Sequence, residues 1–141
     1  MESNKLFIIL FSILCLTGLV SCEDDDFDDD YDSPLTALLC DKVWVDFFMV
    51  DNNTECRREL TFYTNRKGMN YRRYFDVYTG EYLGDEGDPF YWNWTSSYQD
   101  AIILEYPDGV SYFEDVWIRN NYLSGILDGY EVTFTDSYLI N

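Results

Sequence analysis

The chain has 141 residues, with 27 acidic and 9 basic side chains, a formal net charge of -18 and no histidine. That charge argues against a nucleic-acid partner, whose phosphates need a basic surface, and the lack of histidine removes the common zinc sites and every imidazole-based acid/base mechanism. Aromatic content is high, with 13 Tyr, 10 Phe and 4 Trp, which suits a β-rich domain with bulky core positions.

At the start, Lys5 supplies a positive charge and Leu6 to Val20 is an almost unbroken apolar run. Its length is that of a signal-peptide hydrophobic region and is short for a transmembrane helix. It ends in small residues and a cysteine, where a retained membrane anchor would have a basic stop-transfer cluster. Residues 1–21 therefore read as a signal peptide. At its end Leu19-Val20-Ser21-Cys22 resembles the bacterial lipobox. The resemblance implies thioether attachment of diacylglycerol to the Cys22 sulfur, cleavage between Ser21 and Cys22, and acylation of the new amino terminus, with acyl chains such as palmitate. The implied partner is a membrane, held through the lipid anchor at Cys22, since two or more acyl chains anchor stably where one alone does not.

Residues 22–32 form the expected tether. Eight carboxylates lie in the ten residues from Glu23 to Asp32; they repel one another and cannot bury surface, so the segment reads as extended and solvated. It also resembles the acidic export signal that follows the lipidated cysteine in surface lipoproteins of certain Gram-negative anaerobes. That resemblance implies an outer-membrane lipoprotein facing the cell exterior. The run lacks the glycine and spaced ligands of a calcium loop.

Residues 33–141 are enough for one domain and not for two. Ser33-Pro34 reads as an N-cap with proline at the first helical position, opening a short apolar helix over Leu35 to Leu39. Short β-type runs follow: Lys42–Val50, Cys56–Thr64, Met69–Tyr78, Tyr91–Thr95, Ala101–Tyr106, Val110–Ile118, Tyr122–Leu127 and Tyr130–Thr135. In the third, Met69, Tyr71, Phe75 and Val77 alternate against Asn70, Arg72, Tyr74 and Asp76, so the first set reads as the apolar face. Thr79 to Pro89, with three glycines and a proline, reads as a long irregular loop, a lid over one barrel end. Pro107-Asp108-Gly109 and Asp128-Gly129 are strong hairpin signals. About eight strands joined by short turns exclude a parallel α/β sheet. The expected fold is an all-β antiparallel meander that closes into a barrel, because closure removes exposed edges.

The short apolar helix, the early Lys42-Val43-Trp44, the Phe-rich second strand with its turn glycine over Leu60 to Gly68, the strand with Trp92 and Trp94, and the late Asp-Gly hairpin together resemble the lipocalin-like domains of bacterial lipoproteins, over roughly residues 35 to 136. The resemblance implies a lipocalin-like barrel that binds a small hydrophobic or amphipathic ligand. A filled barrel that meets proteins or glycans through surface aromatics is the alternative. Trp44, Phe62, Tyr71, Trp92 and Trp94 are the candidate aromatics, as ligand contacts or as core.

With Cys15 in the signal and Cys22 lipidated, Cys40 and Cys56 remain. A disulfide between them would close a loop of about 15 residues, worth roughly 3 kcal/mol in the chain-entropy model. A pair of buried free thiols is the alternative, and simple hairpin register does not set the two opposite each other. No catalytic residue, metal site or cofactor emerges. Glu114 and Asp115 would point to opposite faces of a regular strand, Asp85, Glu86 and Asp88 fall in the expected solvated loop, and Gly80, Gly84 and Gly87 precede no helix. No nucleophile has a histidine partner. The sequence thus points to a non-enzymatic protein.

Overall fold

A computed structural model describes residues 33–140. The expected signal peptide, lipidated Cys22 and acidic tether lie outside the described residues. Helix α1 (Pro34–Cys40) is followed by β1 (Val43–Met49), β2 (Thr54–Phe62), β3 (Lys67–Asp76), β4 (Tyr82–Trp94), β5 (Ile102–Tyr106), β6 (Gly109–Arg119), β7 (Tyr122–Leu127), β8 (Tyr130–Asp136) and a 3-10 turn at Ser137–Leu139. Each strand pairs antiparallel with the next, and β8 returns to β1, so the eight form a closed barrel in sequence order. The all-β meander closed into a barrel is the expected fold.

Local chemistry sets the element ends. Ser33 caps α1 by accepting from Thr36 N at 3.1 Å, with Pro34 in the first turn. Asp128 and Gly129, at φ 49° and 88°, connect β7 to β8; both central positions are left-handed, which matches the twist of the flanking strands. Pro107 and Asp108 connect β5 to β6, with Tyr106 opposite Gly109.

The stretch from Thr79 to Pro89 is not a lid. From Tyr82 onward it is strand, paired with β3 down to Phe75. The register sets Arg73 opposite Asp85, Arg72 opposite Glu86 and Asn70 opposite Asp88; these cross-strand polar pairs stabilise a segment whose own propensity is poor. The irregularity is confined to a register shift between Tyr74 and Phe75, where Gly84 takes φ 144°. Pro89 is tolerated because β5 pairs only with Tyr91–Trp94, so no neighbour needs its missing N–H.

The interior is packed at the end covered by α1. Trp44, Leu60, Phe62, Phe90, Trp92, Ile102, Leu104, Phe113, Leu123 and Phe134 are buried there together with Leu39 of the helix. Phe62 meets Phe90 and Trp92 edge-on, with ring centroids 5.5 and 5.7 Å apart. The helix is tied down by two indoles: Trp44 Nε1 donates to Leu39 O and Trp94 Nε1 to Thr36 Oγ1, both at 2.9 Å. On the outer face of β1, Val45 is buried beneath the 3-10 turn.

Candidate functional site

The other end of the barrel is polar and open. Across β1 to β4 the ladder aligns residues in rows on the inward face. The row Trp44, Leu60, Asn70, Asp88 is followed by Asp46, Arg58, Arg72, Glu86, and then by Phe48, Cys56, Tyr74, Gly84. The core therefore gives way, one row up, to a line of two guanidinium groups flanked by carboxylates. Like charges directly opposite destabilise a sheet. Here each arginine has its own acid. Arg58 grips Asp46 in a bidentate pair, Nε to Oδ1 at 2.9 Å and Nη2 to Oδ2 at 2.6 Å, and its guanidinium lies between the Phe48 and Phe134 rings at 4.9 and 5.0 Å. Arg72 bonds Asp88 and approaches Glu86 at 3.3 Å.

Tyrosines complete the wall. Tyr74 donates to Glu86, and that bond, ahead of desolvation, pushes its hydroxyl up to about 12, so it remains a donor at neutral pH. Asn70 Nδ2 donates to Tyr106 Oη at 3.2 Å; burial raises the Tyr106 hydroxyl as well. Asn70 Oδ1 and Arg72 Nε are buried and have no hydrogen-bond partner among the described residues. A third such atom, Arg73 Nε, belongs to the outer face, where its guanidinium lies over the Tyr71 ring at 5.1 Å.

Two openings flank this cup. At the β1–β8 seam only Trp44–Asp136 and Val45–Thr135 are paired. Beyond them the strands part around a cleft of about 970 Å³ that runs from Met49, Phe47 and Ile140 inward to Asp46 and Arg58. Where β5 stops short of β4, a second hollow of about 510 Å³ lies against Phe90, Tyr106, Pro89 and Pro107.

The candidate aromatics divide by position. Trp44, Phe62 and Trp92 are fully buried core, and Trp94 packs half-buried against it. The indole N–H groups of Trp44, Trp92 and Trp94 are spent on Leu39 O, Tyr63 O and Thr36 Oγ1, which leaves no donor for a ligand. Tyr71, expected with the apolar face, points outward and donates to Asp85. Residues with even numbers face in along β3 because β2 presents Phe62, Leu60 and Arg58 opposite Gly68, Asn70 and Arg72.

Cys40 and Cys56 are free thiols. Cys40 ends the helix at the closed end, whereas Cys56 lies four residues up β2 from Leu60, about 13 Å along the strand, and a bridge needs Cα atoms within roughly 7 Å. Burial pushes the Cys40 thiol up to about 11 and raises Cys56 too, so neither is a ready nucleophile. Glu114 and Asp115 are both exposed beside an irregularity of β6, with Asp115 at φ 49°. Among the described residues no three metal-ligating side chains converge, and no helix is long and apolar enough to cross a membrane.

The cup residues Asp46, Arg58, Asn70, Arg72, Glu86 and Asp88 escaped sequence reasoning. A signal existed. Arg57-Arg58 and Arg72-Arg73 are equidistant from Asn65, the turn between β2 and β3, so hairpin pairing had to stack them, one pair inside and one outside. No protein-family model, curated protein or solved structure matches the chain.

Proposed function

We propose that this protein is a lipid-anchored lipoprotein of the outer membrane, displayed on the cell exterior, whose barrel binds a small amphipathic molecule at its open end. The observation that carries the binding reading is the cleft at the β1–β8 seam, where exposed Phe47, Phe48 and Met49 adjoin the part-buried Asp46–Arg58 pair. Concave sites with apolar walls and a few convergent polar groups are the usual places for small ligands. Anchoring is supported by the apolar run ending in Leu19-Val20-Ser21-Cys22 and by the acidic stretch behind it, which suits a spacer between a bilayer and a folded domain. The exposed Phe47, Met49, Val50 and Tyr130 on the same rim favour, as a second reading, a filled barrel that contacts another macromolecule.

One experiment addresses both parts. The protein is extracted from its host membranes in mild detergent and weighed by native mass spectrometry. The expected species begins at acylated Cys22 and carries a reproducible one-to-one adduct. An unacylated mass would remove the anchor; a bare acylated chain, unchanged after incubation with lipids, would remove the ligand and leave the interaction surface.

A further inference from the structure

This inference rests on the second reading above, contact with another macromolecule, and names that partner. Two strand edges at the open end lack a neighbour. The β1–β8 ladder stops at Val45–Thr135, and β5 pairs with β4 only from Tyr91 to Trp94. An open edge is a template for further pairing unless charge or proline blunts it. On β4 the free stretch carries Asp85, Glu86, Asp88 and Pro89, so that edge is guarded. On β1 it carries Phe47, Phe48, Met49 and, in the following turn, Val50, all between 38% and 53% exposed. Its one charge, Asp46, is held by Arg58. This edge is unguarded.

The main chain shows what fits there. Val50 N donates to Thr54 O at 2.9 Å, so in the alternating antiparallel pattern Val50, Phe48 and Asp46 bond to β2, while Met49 and Phe47 turn their N–H and C=O groups to the cleft. Across it, the two-residue Asp128-Gly129 turn makes Leu127–Tyr130 a bonded pair. Tyr130, Val132 and Phe134 are thereby committed to β7, and Glu131 and Thr133 turn toward the seam. Val45 and Thr135, of the same parity, meet where the ladder survives. Main-chain donors and acceptors thus repeat about 7 Å apart along an apolar edge, a spacing that an extended polypeptide matches. Charge selects which polypeptide. Asp128 and Glu131 line the cleft and have no ion-pair partner among the described residues. A second copy, of net charge -18, and the chain's own acidic residues 23–32 are both repelled. We infer that the free flank of β1 takes an extended, basic segment of a partner protein as an added strand. Its main chain exchanges hydrogen bonds with Phe47 and Met49, and its cationic side chains lie toward Asp128 and Glu131.

The test uses the full chain in phosphatidylcholine nanodiscs, with empty nanodiscs subtracted. Calorimetry and amide hydrogen exchange compare a capped heptapeptide of alternating lysine and valine, its glutamate–valine counterpart, and the basic peptide methylated at the lysine main-chain nitrogens. Those N–H groups face β1 when the valines point inward. The basic peptide is expected to bind about ten-fold or more tightly than the acidic one, to slow exchange over residues 46–50, and to lose about ten-fold on methylation. Met49→Pro removes an N–H that β2 does not use and is expected to weaken the basic peptide by a similar factor. Binding indifferent to methylation and to Met49→Pro means contact through side chains; it overturns this inference and leaves the contact reading standing. Equal binding of the acidic peptide overturns the choice of a basic partner, and self-association in sedimentation that Met49→Pro abolishes puts a second copy there instead. If no peptide binds and the chain does not self-associate, the contact reading itself fails. The peptide comparison uses the unmodified chain, so it decides even if the variant does not fold.

Discussion

Gly68 shows what a single side chain can cost this barrel. It lies in the buried row between Phe62 and Phe90, and a Cβ added there would stand 2.7 Å from Thr61 O and overlap the Phe90 ring. Overpacking a well-packed interior costs about 1–3 kcal/mol, more than the roughly 0.4–1 kcal/mol that alanine returns by restricting the unfolded chain. Gly68→Ala is therefore expected to lower the urea midpoint, and adding Phe90→Leu to recover part of the loss. An unchanged midpoint in the single variant would mean that the aromatic cluster can shift to accommodate a methyl group. At neighbouring positions the sequence pattern misleads. Met69 and Tyr71 are larger and more apolar than Asn70, yet the inward face belongs to Gly68 and Asn70, because opposite them on β2 stand Phe62 and Leu60. Residue type alone does not choose a face when both faces are mixed.

At the scale of the element, the strands whose ends carry their own chemistry were legible. Ser33-Pro34 marked the helix and Asp128-Gly129 the last hairpin, since a cap and a left-handed turn depend on a few adjacent residues. β4 was not. Gly84, Gly87 and Pro89 argue locally for a loop, and the strand exists through partners on β3 that a local reading does not see. The row Asp46, Arg58, Arg72, Glu86 was hidden for the same reason. It also makes a prediction. Asp46→Asn keeps the shape but removes the charge that neutralises Arg58 between two rings, and a hydrogen bond to a charged group contributes about 1.5–3 kcal/mol. A loss of that order is expected in urea unfolding. Much of it reflects an arginine left uncompensated in a half-buried place, so Arg58→Met in the Asp46→Asn background should recover stability. If the double variant loses the sum of the two single losses, the pair does not act as a unit.

For the whole molecule, the weak point of closure is the seam between the first and last strands. Every other ladder has four or more register pairs; β1–β8 has two. Its pin is Asp136, which accepts from Lys42 Nζ and from Tyr138 N, each at 3.1 Å. The Tyr138 N–H, ahead of Lys42, holds this carboxyl below its ordinary value, and backbone N–H groups do the same for Asp51 and Asp76 at two turns of the open end. A carboxyl depressed in the folded state contributes stability at pH values above its unfolded pKa, near 4, and that contribution disappears as pH falls through the folded value. Stability should thus be level from pH 7 to about 5 and fall below 4. The seam adds a spatial expectation. Protonation of Asp136 releases Lys42 and the 3-10 turn together, so amide hydrogen exchange at low pH should rise first in β1 and β8, while the long β2–β3–β4 ladders stay protected. Simultaneous loss of protection in all eight strands would mean that acid unfolds the barrel as one unit and that Asp136 is not what holds it shut.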